Sequence, residues 1–169
     1  MEEIVNKVAN SALKVFDLED YFPKQPIKTL DISHWLLEGI VLREKEFRAA
    51  LKDFDWTPYQ GSLVAMYCST DAILPAWAFM LVSSYLQPVA LEVTQGNKET
   101  LLLNYYNKTI QALDFEMYRD QPVIVKGCSK QPIPEQVYVM ATQKMMNYAR
   151  SIMFGEACSA VPIFKRQKI

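Results

Sequence analysis

Glycine and proline are scarce, at five and nine of 169 residues, which excludes collagen-like repeats, flexible linkers and low-complexity tracts. Histidine occurs once. Cysteine occurs three times, too few for a disulfide-stapled scaffold, and an odd count favours free thiols or metal ligands. Neither sign of charge dominates: 18 Lys and Arg against 19 Asp and Glu give a net charge of -1, without the basic excess of a general nucleic-acid binder. The longest uninterrupted apolar run, Ala72 to Val82, falls short of the roughly 20 residues that a bilayer-spanning helix takes. No G-x-G-x-x-G, Walker loop, G-x-S-x-G, C-x-x-C or H-E-x-x-H motif occurs, so the nucleotide-binding and hydrolase signatures are missing. The start, Met1-Glu2-Glu3-Ile4, has neither the basic opening nor the apolar run of a signal peptide, and the expectation is a cytoplasmic protein without a membrane helix.

Half of the residues are apolar, enough for one domain with a sizeable hydrophobic core. Ile4, Val8, Ala12 and Val15 recur at helical spacing and predict an N-terminal cover helix over residues 2–16, ahead of a core spanning about residues 27–165. After a Pro-containing acidic loop, a strand is expected over Ile27 to Ile32, with Ser33 capping a short helical turn. Phe47, Leu51 and Phe54 mark a helix from Arg43, with Glu44 placed to pair with Arg48. Strands then read at Ser62 to Tyr67, Val89 to Thr94, Pro122 to Lys126 and Ala160 to Lys165. Helices read at Leu74 to Leu86, with Pro75 in the first turn, at Lys98 to Leu113 and at Glu135 to Met153, the last capped by Gly155. Alternating strands and helices predict a single α/β layered domain over residues 1–169, with a mixed, largely parallel sheet flanked by helices.

All three cysteines lie in one local pattern, Cys-Ser-x-x-Pro/Ala-Ile: Cys68 to Ile73, Cys128 to Ile133 and Cys158 to Ile163. Ser follows every Cys although only nine of the 169 residues are Ser, which argues against coincidence. The flanking sequences differ and the spacings, 60 and 30 residues, match no single supersecondary unit, so the pattern reads as convergent local chemistry rather than a structural repeat. Cys68 and Cys128 each follow a strand and precede a helix, at the sheet edge where α/β proteins bind ligands. Cys158 joins them there if the last strand runs antiparallel to the others.

Three thiolates near helix N-termini suit zinc or an iron–sulfur cluster. Asp71 is the first candidate for a fourth ligand; His34, Glu156 and water are the alternatives. A second reading is a thiol-dependent enzyme or sulfur carrier acting through Cys128, where Gly127, Lys130 and a following helix favour the thiolate. In the third, the cysteines are packed as small apolar residues in an interaction module. Ser69, Ser129 and Ser159 read as capping residues, and the acidic cluster Asp17, Glu19 and Asp20 as a solvated loop. The tryptophans and the Tyr105-Tyr106 pair read as core or cover, not as a base-stacking platform. An unidentified protein partner and a homodimer stay open.

The chain resembles a bacterial family, domain of unknown function 2480. The resemblance is carried by Phe16-Asp17-Leu18-Glu19-Asp20-Tyr21, Asp55-Trp56 with Tyr59-Gln60-Gly61, Lys126-Gly127-Cys128-Ser129-Lys130, and Ser151-Ile152-Met153 with Gly155-Glu156. It extends over nearly the whole chain. It implies a small cytoplasmic single-domain protein and brings no catalytic residues with it.

Overall fold

Parallel strands cannot be joined by a hairpin; each pair needs a crossover, usually a helix. The computed structural model, which describes residues 13–127 and 129–167, is built from such crossovers. Its strands are β1 (Lys14–Asp17), β2 (Ile27–Asp31), β3 (Leu63–Tyr67), β4 (Glu92–Gln95), β5 (Pro122–Lys126), β6 (Ser151–Phe154) and β7 (Val161–Lys165). Its α-helices are α1 (Glu44–Asp53), α2 (Ala76–Leu86), α3 (Lys98–Ala112) and α4 (Glu135–Met145). The class is the expected α/β with mostly parallel strands, and the strands form two sheets.

The chain divides into two compact units, residues 23–104 and residues 1–22 with 105–169, and the division falls within α3. The first of these, the central unit, holds a parallel sheet in the order β2-β3-β4. Helix α1 joins β2 to β3 and helix α2 joins β3 to β4. Leu30, Val64, Met66, Phe47, Leu51, Ala78, Val82 and Leu86 form its core. The outer unit holds the order β1-β5-β6-β7, parallel except for the antiparallel β7. Its buried residues include Phe16, Leu18, Tyr106, Ile110, Val123, Val125, Val137, Ala141 and Met145.

The two units are copies of one pattern. Strand β3 starts 59 residues before β5, α2 59 before α4 and β4 59 before β6. Each pair of elements has equal length. Buried Phe47, Leu51, Ala78, Val82 and Leu86 recur as Tyr106, Ile110, Val137, Ala141 and Met145. Loop bonds recur as well: Gly61 donates its amide to Val89 and Asp120 to Tyr148, and Gly96 donates to Met66 as Gly155 does to Val125. Gly61 and Asp120 both take positive φ, at 66° and 57°. The first strand of the outer unit is supplied from far upstream. Asp17, at the end of β1, caps a 3-10 turn over Leu18–Tyr21, as Asp31 at the end of β2 caps one over Ile32–Trp35. The repeat is therefore structural for two of the three Cys-Ser patterns, contrary to their reading as convergent: Cys68 and Cys128 occupy corresponding stretches of chain, whereas Cys158 follows β6 outside the repeat.

Several local expectations are corrected. Residues 14–16 belong to strand β1, because the register of Lys14 to Asp17 against Val123 to Lys126 satisfies their backbone groups; Leu13 is not helical either, and residues 2–12 of the expected helix lie outside the described residues. Helix α4 stops at Met145, and residues 151–154 form a strand parallel to β5, so Gly155 ends a strand and not a helix. Strand β4 begins at Glu92 rather than Val89. Asp31, not Ser33, caps the 3-10 turn, and Pro75 stands at the N-cap of α2 rather than in its first turn.

Candidate functional site

At the carboxyl edge of the outer sheet, three neighbouring parallel strands end in a row of charges. Lys126, last in β5, places its ammonium 3.3 Å from Asp17 of β1 and 3.9 Å from Glu156, which follows β6. The register pairs Asp17 with Lys126 directly, so the strand order itself creates this contact. The Asp17 bond, reinforced by Glu156, raises the Lys126 ammonium above its usual range. One oxygen of Asp17 also accepts the Glu19 amide at 3.0 Å.

Glu19 reaches across to the loop after β5. Its carboxylate accepts the Lys130 amide at 2.7 Å, the Ser129 hydroxyl at 3.1 Å and the Gln131 amide at 3.4 Å. The Lys130 bond leads in holding this carboxyl below its usual range; partial burial opposes it, and the Gln131 and Ser129 bonds add to it. Within the acidic cluster expected to be a solvated loop, Glu19 is thus a clamp on the loop after β5, while Asp20 is exposed. Gly127, which opens that loop at φ 154°, has no room for a side chain: a Cβ there would stand 2.9 Å from the Tyr138 hydroxyl and 3.2 Å from the Leu18 Cβ.

The central sheet repeats the clamp with a different carboxylate. Asp31 accepts the Ser33 amide at 2.9 Å and the Ser69 amide at 3.1 Å, and the two serine hydroxyls lie 3.1 Å apart. Burial opposes ionisation of Asp31, but the bonds from Ser69 and Ser33 outweigh it and bring its carboxyl down to about 2. The Ser after Cys thus docks its loop on a carboxylate at both edges, through the Ser69 amide in one unit and the Ser129 hydroxyl in the other.

The residues singled out in the sequence are distributed as follows. Cys68 and Asp71 belong to the central unit, Cys158 to the outer one, and Cys128 lies outside the described residues. Cys68 is half-buried against the central core, its sulfur 3.3 Å from the Thr70 hydroxyl. Asp71 is exposed. His34 bonds through Nδ1 to the Asp31 carbonyl at 3.1 Å. Cys158 is exposed on the connection from β6 to the antiparallel β7, which puts it at the edge where β5 also ends. Among the described residues, no group of three or more His, Cys, Asp or Glu side chains is disposed to hold a metal ion. The sequence reading places Asp17 in a solvated loop and gives Asp31 and Lys126 no role. The signal for the two aspartates is the shared Phe/Leu-Asp-Leu/Ile step at residues 16–18 and 30–32, each running into a 3-10 turn.

The family model described as "Protein of unknown function (DUF2480)" matches residues 2–166. The chain belongs to this family. No curated protein and no solved structure gives a match. The DUF2480 match runs through both units, so the two clamped cysteine loops fall within the family's extent. Among the described residues, no helix is long and apolar enough to cross a membrane.

Proposed function

We propose that this DUF2480 protein is a metal-binding accessory protein whose working thiols are Cys128, next in sequence after Gly127, and Cys158, on the connection that leaves the carboxyl edge of the outer sheet. The observation that supports the reading is the direction of β7. Because it returns antiparallel to β6, the Cys158 loop leaves the same edge as the strand that runs into Gly127-Cys128. Two thiolates suit a soft divalent cation such as zinc, or iron in a cluster, and Glu156, two residues before Cys158, is the carboxylate nearest in sequence to join them. The excess of acid at this edge, with Asp17 and Glu156 around Lys126 and Glu19 on the following loop, favours a cation. Cys68 and Asp71 are left out of this reading: the Cys68 thiol is half-buried against the core residues around it and lies 3.3 Å from the Thr70 hydroxyl. Free thiols of this kind need a reducing compartment, in keeping with a cytoplasmic site of action.

Lys126 gives specific support to a second reading, a sulfur-carrying thiol at Cys128, because a cation two residues away stabilises a thiolate. Metal content of anaerobically purified protein separates the two. Zinc or iron near one equivalent, lost in Cys128→Ser and Cys158→Ser but retained in Cys68→Ser, supports the metal reading. Metal-free protein with a single fast-alkylating thiol at Cys128 overturns it in favour of the second.

A further inference from the structure

The internal repeat exposes one position where the units differ in charge. Asp17 and Asp31 are equivalent, each ending the first strand of its sheet and capping the turn that follows. The residue in register with Asp17 is Lys126, whose ammonium neutralises it at 3.3 Å; the residue in register with Asp31 is Tyr67. Among the described residues Asp31 forms no ion pair, yet its loop bonds keep it ionised.

Asp31 and Tyr67 also line a cleft of about 320 Å³ in the central unit, with His34, Trp35, Phe54 and Tyr59. Four aromatic residues and one aspartate lining a single cleft are a chemistry that receives an organic cation, since ring faces attract positive charge and a carboxylate supplies the counter-ion. Tyr59 already serves this way on Lys28, whose ammonium lies 6.0 Å from the ring centre and bonds to the Pro58 carbonyl. Lys28 does not line the cleft. We infer that the cleft binds a small organic ammonium compound, whose positive charge takes beside Asp31 the place that Lys126 takes beside Asp17. This inference concerns the central unit alone and does not depend on the thiol reading.

The test is a titration of the full chain, at low salt, with tetramethylammonium and n-butylammonium, followed by the NMR shifts of the Trp35 indole and the Tyr67 amide. The neutral analogue 3,3-dimethylbutan-1-ol serves as control. Saturable binding on the order of 1 mM is expected for at least one cation, with the neutral analogue about tenfold weaker. Tyr67→Lys, which installs the ammonium of the outer unit, should weaken cation binding about tenfold while leaving thermal stability at or above the parent value. Asp31→Asn should weaken it similarly, and Asp71→Asn, the loss of an exposed charge elsewhere in the same unit, should not. The inference is overturned if neither cation saturates, if the neutral analogue binds equally well, or if folded Tyr67→Lys binds as the parent does.

Discussion

The ammonium of Lys144, in α4, donates to the carbonyl of Ile110 at 2.6 Å and, with it, to Gln111 at 2.9 Å and Leu113 at 2.7 Å. These carbonyls belong to the last turn of α3 and the residues just beyond it, where backbone acceptors have no intrahelical partner and the helix dipole favours a cation. Lys144 also lies 4.8 Å from the ring centre of Phe115. Lys144 therefore acts as the C-terminal cap of a neighbouring helix.

Replacing Lys144 with Met keeps the stem and removes the three bonds. A loss of about 2 kcal/mol is expected, because each bond is charge-assisted but partly screened by water. Urea unfolding of Lys144→Met against the parent checks it. A change under a few tenths of a kcal/mol would show the cap to be dispensable.

Much of this architecture is readable in the sequence. Helix α1, its Glu44–Arg48 pair at 2.9 Å, and strands β2, β3 and β5 follow from local periodicity, which depends only on which face each residue presents. The repeat was hidden because the two units share positions of burial and not residue identities: Phe47 answers to Tyr106 and Leu86 to Met145. The extra Gly127 compounds this, since it separates the cysteines by 60 residues while the surrounding elements are 59 apart. Asp55-Trp56 with Tyr59, matched by Asp114-Phe115 with Tyr118, was the available clue. Tyr148 and Ile152 prolong the apolar spacing of α4 by chance, so periodicity carries the expected helix on to Met153; the pairing of β6 with β5, a long-range contact, ends it at Met145 instead. The carboxylate clamps are non-local in the same way, Glu19 meeting Ser129 and Asp31 meeting Ser69 only once the strands are aligned.

The Asp31 clamp sets an acid limit on stability. Its carboxyl is depressed to about 2 in the folded chain, against an ordinary value of about 3.9 when unfolded. The sign follows from proton binding: below pH 4 the unfolded chain takes up the proton more readily, so the contribution of Asp31 is complete above that pH and disappears as pH falls through about 2. About 1 to 2 kcal/mol is at stake, allowing for partial solvent screening. Urea midpoints of the parent and Asp31→Asn, compared from pH 6 down to pH 2, should differ most at the upper end and converge at the lower. A gap that does not change with pH would remove the ionised carboxylate from the explanation.

Tyr106 sets the corresponding alkaline limit. It is fully buried, and its hydroxyl donates to the Leu18 carbonyl at 2.8 Å, tying α3 to the turn whose Glu19 clamps the cysteine loop. Burial raises its phenol well above the usual value, with the charges of Tyr105, Glu19 and Asp17 adding to the effect. A raised folded value means that the neutral form is favoured in the fold, so the contribution is complete below about pH 10 and is lost as pH rises beyond it. Tyr106→Phe, which reproduces the Phe47 of the central unit, should cost about 1 kcal/mol at neutral pH through the unpaired Leu18 carbonyl. The same substitution should make the stability curve flatter above pH 10, because one group that resists ionisation is gone. Hydrogen exchange read at the amides of Lys130 and Gln131 provides the local check: protection there should fall in Tyr106→Phe if Leu18 and Glu19 are held by this bond, and should stay unchanged if the turn is fixed by Asp17 alone.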